Sequence, residues 1–148
     1  MNILITGGAG FLGQQLIRAL LDRGQLDAGA GSQSIQRIVC FDQTEGAIVD
    51  PRVRNVAGSI SDAATVDGLV DATTQVVVHL AAVVSGTAEA DFDLGMRVNL
   101  DGARHLLEAC RAAGHRPRVL FSSSIAVFGG DLPAVVTDAT TPTPQGSY

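Results

Sequence analysis

The chain has 148 residues, 46% of them hydrophobic and only 17% charged, with a formal net charge of −5. That length fits one domain with a real core, and the low charged fraction points to surface meant to be covered. The acidic balance excludes the counterion-releasing basic face that nucleic-acid binding needs, and the longest apolar run, residues 76–84, is interrupted by His79 and falls short of the ~20 residues that span a bilayer.

Asn2-Ile3-Leu4-Ile5-Thr6 is an apolar run ending on glycines, which predicts a buried strand. No basic flank precedes it, so a signal peptide is not expected. Leu12, Leu16, Ala19 and Leu20 share one face at helical spacing, which predicts a helix over residues 14–23, stopped by Gly24. Residues 25–33 are small, polar and glycine-rich and read as a loop. A second buried strand, Arg37 to Phe41, ends at Asp42; a weaker third covers Val53 to Ala57. A helix follows over residues 61–70, with Ser61 or Asp62 near its N-cap. Gln75 to Leu80 is a strong fourth strand, with His79 inside it. Residues 93–113 have helical spacing and stop at Gly114; Val119 to Phe121 form a fifth strand. Residues 125–148 read as loop. Strand and helix signals thus alternate, which predicts an α/β fold: a Rossmann-type, doubly wound parallel sheet. A chain ending on a long loop is expected to be the N-terminal part of a larger protein. Cys40 and Cys110 form neither a metal spacing nor a disulfide framework. They read as small core residues in a reducing cytoplasm. The three histidines show no metal-ligand spacing either, so no metal is expected.

The first turn carries the chemistry. Residues 8–13 satisfy G-x-G-x-x-G, and residues 6–13 also satisfy T-G-x-x-G-x-x-G. Gly7 would turn the chain after the strand. Gly10 would let backbone approach a pyrophosphate, and Gly13 would let the helix pack close to the sheet. Free N–H groups at the helix start would then hold phosphates. The motif follows a predicted strand and opens a predicted helix, as dinucleotide binding requires. Asp42, at the end of the second strand, would accept from the adenosine ribose and repel a 2′-phosphate, favouring NAD over NADP. Its distance from Gly13 exceeds the usual ~20 residues, and the loop over residues 25–33 accounts for the excess.

Further along lie His79-Leu80-Ala81-Ala82, Val98-Asn99, the stretch Phe121-Ser122-Ser123-Ser124 through Gly129, and Tyr148. With the glycine loop, and in this order, they resemble the extended short-chain dehydrogenases, which are NAD-dependent epimerases and dehydratases. The resemblance covers the whole chain. It implies that Phe11 and Leu12 offer N–H groups to the pyrophosphate and that Asp62 meets the adenine amino group. It implies that Leu80, Ala81 and Ala82 line the groove, and that Asn99, Ser122 and Tyr148 lie against the cofactor. For Asn99 a structural hydrogen bond and a relay role both stay open. Ser124 would orient the substrate oxygen and Tyr148 would act as acid/base. The family lowers the tyrosine pKa with a lysine one helical turn later, which this chain does not reach, so the chain alone is expected to bind NAD at best.

Residues 83–97 are similar to members that oxidise a four-carbon sugar acid, so a small sugar acid is the expected substrate. A nucleotide-sugar 4-epimerase or dehydratase is the alternative. A non-catalytic NAD sensor is a third reading, of another class. Family resemblance also implies a homodimer built on the helix over residues 93–113 and a later helix.

Overall fold

The computed structural model describes residues 1–29 and 31–148. Five strands form one parallel sheet: β1 (Asn2–Thr6), β4 (Arg37–Asp42), β5 (Val53–Ala57), β6 (Thr74–His79) and β7 (Arg118–Phe121). Their spatial order is β5-β4-β1-β6-β7. The chain moves outward from β1 to β4 and β5, then crosses back and continues on the other side of β1. The order therefore reverses between β1 and β6, where ligands of such sheets bind at the carboxyl edge.

Both faces of the central strands are covered, which is why these strands are nearly continuous apolar runs. Ile3, Ile5, Ile38, Cys40, Val76 and Val78 face helix α1 (Phe11–Arg23) and pack with Ile17 and Leu20. Leu4, Val39, Phe41 and Val77 alternate to the opposite face, packing with Val66 of α2 (Ala63–Asp67) and with Leu106, Ala109 and Cys110 of α5 (Gly102–Ala112). Both cysteines are free and buried. Among the described residues, no helix is long and apolar enough to cross a membrane.

The structure departs from the sequence expectations at five places. Residues 25–33 are not a plain loop: β2 (Gln25–Asp27) and β3 (Ser32–Ser34) pair as an antiparallel hairpin, whose Leu26 packs onto the α1-side core. Helix α1 starts at Phe11, directly on the glycine loop, rather than at Gln14. Helix α2 is shorter than residues 61–70, because the backbone turns at Gly68. A helix α3 (Ser85–Ala90) precedes α4 (Phe92–Gly95), and the long helix over residues 93–113 is broken by a π-turn, Met96–Asp101, before α5. His79 closes β6 rather than lying within it.

Candidate functional site

The glycine loop is shaped by backbone proximity. Gly7 has φ of +69°, and a Cβ there would lie 2.8 Å from Ala81 N, so any other residue would be both strained and blocked. A Cβ at Gly13 would lie 2.6 Å from Gly8 Cα. Gly13 thus permits the first turn of α1 to pack against the loop that leaves β1. Gly10 is different: its Cβ would meet only Gly7 O, at 3.2 Å, and otherwise faces open space. Gly10 is also the N-cap of α1 and supplies no side-chain cap, so the first N–H groups of the helix, on Phe11 and Leu12, have no side-chain partner there.

Beside this loop lies a cleft of about 250 Å3. Gly7, Gly10, Asp42, Leu80, Ala81 and Ala82, all expected from the sequence, line it. Phe41, Gln43, Gly58, Ile60 and Val98 complete the lining and were not anticipated. Gly58 carried a usable signal: it follows β5 at the same sheet edge as Gly7 follows β1. A Cβ there would lie 2.9 Å from Thr65 Cγ2 and 3.0 Å from the Phe41 ring.

Asp42 is tied into the loop it serves. Its Oδ2 accepts from Ala9 N–H at 3.0 Å and its Oδ1 accepts from Gln43 N–H at 2.7 Å. Gly58 N–H donates to its backbone carbonyl at 2.8 Å. Burial, followed by the Asp42 charge, pushes the neighbouring Cys40 thiol above its usual range.

A buried hydrogen-bond chain runs behind the cleft wall. Ala81 N–H donates to Thr6 Oγ1 at 3.3 Å, and the Thr6 hydroxyl pairs with His79 Nδ1 at 2.6 Å. Burial lowers the His79 pKa from its ordinary value, which favours the neutral ring. The His79 carbonyl accepts both N–H and Oγ–H of Ser122, each at 3.1 Å.

Other expected residues lie outside the cleft lining. Asp62 is the N-cap of α2: its carboxylate accepts from Thr65 Oγ1 at 2.5 Å and from Ala64 N–H at 3.2 Å. The Thr65 hydroxyl, more than any other group, holds its pKa below the usual carboxylate value. Ser124 Oγ accepts from Ala126 N–H at 3.1 Å, capping a 3-10 turn, Ile125–Val127. Tyr148 is partly exposed, with relative accessibility of 36%. Ser124 and Tyr148 belong to one returning loop. Thr143 closes it, with its N–H donating to Val127 O at 2.8 Å and its hydroxyl donating to Gly129 O at 2.6 Å. Asn99, on the π-turn, bonds backbone rather than cleft: Oδ1 accepts from Val83 N–H at 2.8 Å, and Nδ2 donates to Val83 O at 3.1 Å and Ser147 O at 3.0 Å.

A glycine turn feeding a helix start at the reversal point of a parallel sheet defines a Rossmann-type nucleotide-binding fold. The chain belongs to the NAD dependent epimerase/dehydratase family, whose model matches residues 3–148. It is 58% identical to a D-erythronate dehydrogenase of Cupriavidus necator, over 100% of this chain and 46% of that one. The fold matches a nucleoside-diphosphate-sugar epimerase from Agrobacterium tumefaciens with a TM-score of 0.88 at 40% identity, over 99% of this chain and 44% of that one. It matches DesIV, a dTDP-glucose 4,6-dehydratase from Streptomyces venezuelae solved with NAD and TYD bound, with a TM-score of 0.83 at 27% identity, over 100% of this chain and 47% of that one. The chain spans under half the length of each of these relatives.

Proposed function

We propose that residues 1–148 form the NAD-binding part of a dehydrogenase that oxidises a secondary alcohol of a small sugar acid, with D-erythronate the first candidate. The observation that carries the cofactor reading is Asp42 on the rim of the glycine-lined cleft, with both carboxylate oxygens ordered by backbone N–H groups. Identity of 58% across the whole chain supports the substrate class. Gly10 leaves room for a pyrophosphate, the N–H groups of Phe11 and Leu12 would hold it, and Asp42 would accept from the ribose hydroxyls.

Bound NAD supplies the hydride acceptor. Ser124 Oγ already accepts from Ala126, so its own proton is available to the reacting substrate oxygen. Tyr148 would take the proton of the substrate hydroxyl as the acid/base. A tyrosine with a pKa of ~10 needs a neighbouring cation to act this way near neutral pH. Phe92, Leu100 and Leu107 stay exposed along the broken helix, a surface suited to pairing two copies in the whole protein. The free buried thiols fit a cytoplasmic location.

The test is NADH absorbance with the whole protein against sugar acids and nucleotide sugars. D-erythronate is expected to give turnover, and Tyr148→Phe to cut kcat by at least ~100-fold with NAD affinity nearly unchanged. Turnover of a nucleotide sugar alone would favour the epimerase reading, which the fold match to the Agrobacterium protein supports. Tight NAD binding without turnover of any candidate would favour a sensor.

A further inference from the structure

Two loops meet over one side chain beside the cleft. Cys40 lies on the α1 side of the sheet, in register with Ile5 of β1 and Asn55 of β5, and is almost fully buried. A Cβ built on Gly8 would lie 2.6 Å from its Sγ, and one built on Gly46 would lie 2.8 Å from the same atom. The sulfur is therefore packed against the backbone of both glycines. Gly8 belongs to the glycine loop. Gly46 belongs to the loop over residues 43–52, which joins β4 to β5 without a helix.

Both loops are fastened around that sulfur. Gly8 N–H donates to Phe41 O at 3.0 Å, and a Cβ at Gly8 would also lie 3.1 Å from Ile5 O. Asn55 clips the other loop: its Nδ2 donates to Ile48 O at 3.0 Å, and its Oδ1 abuts Gly46. Asp42 ends the same strand as Cys40 and accepts from Ala9 N–H, and Gln43 lines the cleft. The glycine loop, the acid and Gln43 thus all take their places around residue 40. Burial, followed by the Asp42 charge, keeps the thiol protonated, so it acts through its volume. In a close-packed interior an added methyl must displace a neighbour, and the neighbours here are backbone.

We propose that Cys40 is a positioning residue for the nucleotide site: its volume, shared between Gly8 and Gly46, sets where the glycine loop and the loop after Asp42 sit relative to each other. Its effect on the nucleotide rests on the reading that NAD lies in the glycine-lined cleft; its structural half does not. Cys40, Gly8 and Gly46 all stand outside the cleft lining, so they act on the nucleotide only through the two loops.

The test is calorimetric NAD titration of the whole protein, paired with hydrogen exchange of the nucleotide-free form. Cys40→Val adds a branch at Cβ and should lower NAD affinity by at least ~5-fold in folded protein. The same variant should speed exchange of the Gly8 and Ala9 amides, which bond Phe41 O and Asp42. Ile38→Val, on the same strand and face but nearer its start, costs stability alone, so its NAD Kd should change less than about twofold. Gly46→Ala and Gly8→Ala should each weaken NAD binding, and each should weaken it less when combined with Cys40→Ala, which deletes the sulfur that the new Cβ would meet. These two cycles decide the matter even if Cys40→Val folds poorly. A folded Cys40→Val protein with an unchanged NAD Kd would overturn the positioning role. Equal losses with and without Cys40→Ala would overturn the shared seat. Failure of the unsubstituted whole protein to bind NAD would remove the cofactor reading; the exchange of Gly8 and Ala9 would still decide the seat, and unchanged rates there would overturn it.

Discussion

The glycine loop and the segment from Ser122 to Tyr148 flank the same sheet edge, yet they are held in different ways. The loop leaves β1, a strand paired on both sides, and backbone bonds fasten it: Gly8 N–H to Phe41 O at 3.0 Å and Leu80 N–H to Thr6 O at 3.1 Å. Beneath it, Leu4 and Ile5 are fully buried. The second segment leaves β7, the edge strand, where Leu120 and Phe121 remain more than half exposed. It is held by scattered hydrogen bonds, chiefly from Thr143 and to Ser147. The proposed cofactor cradle is thus prebuilt by the core, while the proposed catalytic side chains sit on a segment with few buried contacts, the kind that opens at low free energy.

The sharpest way to break that contrast is Gly10→Val. A steric cost of about 1–3 kcal/mol against a bound pyrophosphate lowers NAD affinity by roughly 5- to 150-fold. Because a Cβ at Gly10 meets only Gly7 O, at 3.2 Å, and Gly10 is the N-cap of α1, stability should fall by only about 1 kcal/mol, a modest shift of the urea midpoint. Calorimetric titration and urea unfolding on the same protein check both halves. Retained affinity would mean that the dinucleotide lies elsewhere, and a collapsed midpoint would mean that the cradle is not prebuilt.

Asp42→Ala has a smaller reach. It removes the acceptor of Ala9 N–H and the group that would repel a 2′-phosphate. Stability should fall by about 1 kcal/mol, the worth of a typical hydrogen bond, and the preference for NAD over NADP should narrow. Parallel titrations with the two nucleotides measure the preference, and an unchanged ratio would dismiss Asp42 as the selecting acid.

The mildest probe uses His79, which links the two regions through Thr6 on one side and Ser122 on the other. Burial lowers its folded pKa below the unfolded value near 6.5. Below that pH the unfolded chain takes up a proton that the folded chain resists, so stability falls as the pH drops. His79→Gln should flatten the urea midpoint between about pH 7 and 5. His115, raised by the Thr74 and Ala113 carbonyls, slopes the opposite way. It stays in both proteins, so the difference between them isolates His79. Equal slopes would show that the buried histidine carries no linkage.

What could be read from the sequence follows the same division. Strands β1, β4 and β6 were legible because burial on both faces leaves a continuous apolar signature. The glycine loop was legible because its spacing encodes a steric demand. Helix α3 was not: Ser85, Gly86 and Thr87 are weak helix formers, and tertiary contacts sustain the element. Nothing in the run Met96 to Asp101 announces a π-turn, since its extra residue leaves the apolar periodicity almost intact. Asp62 matched the family pattern and also the N-cap preference; in the structure its carboxylate serves the cap. Ile60 and Val98 reached the cleft lining from separate elements, a juxtaposition that no local pattern contains.

The β2–β3 hairpin has a consequence for how such genes change. It leaves the chain right after Gly24 and is stitched back where Ile35 N–H donates to Gly24 O at 2.9 Å, so its entry and exit are pinned together. Whatever the length of the excursion, the register of β4 on β1 still delivers Asp42 to the glycine loop. Closing a longer excursion costs only about 0.6 kcal/mol per doubling of its length. The count of codons between motif and acid can therefore drift freely, while the ladder keeps their alignment. A reporter peptide spliced between β2 and β3 should leave nucleotide selection untouched.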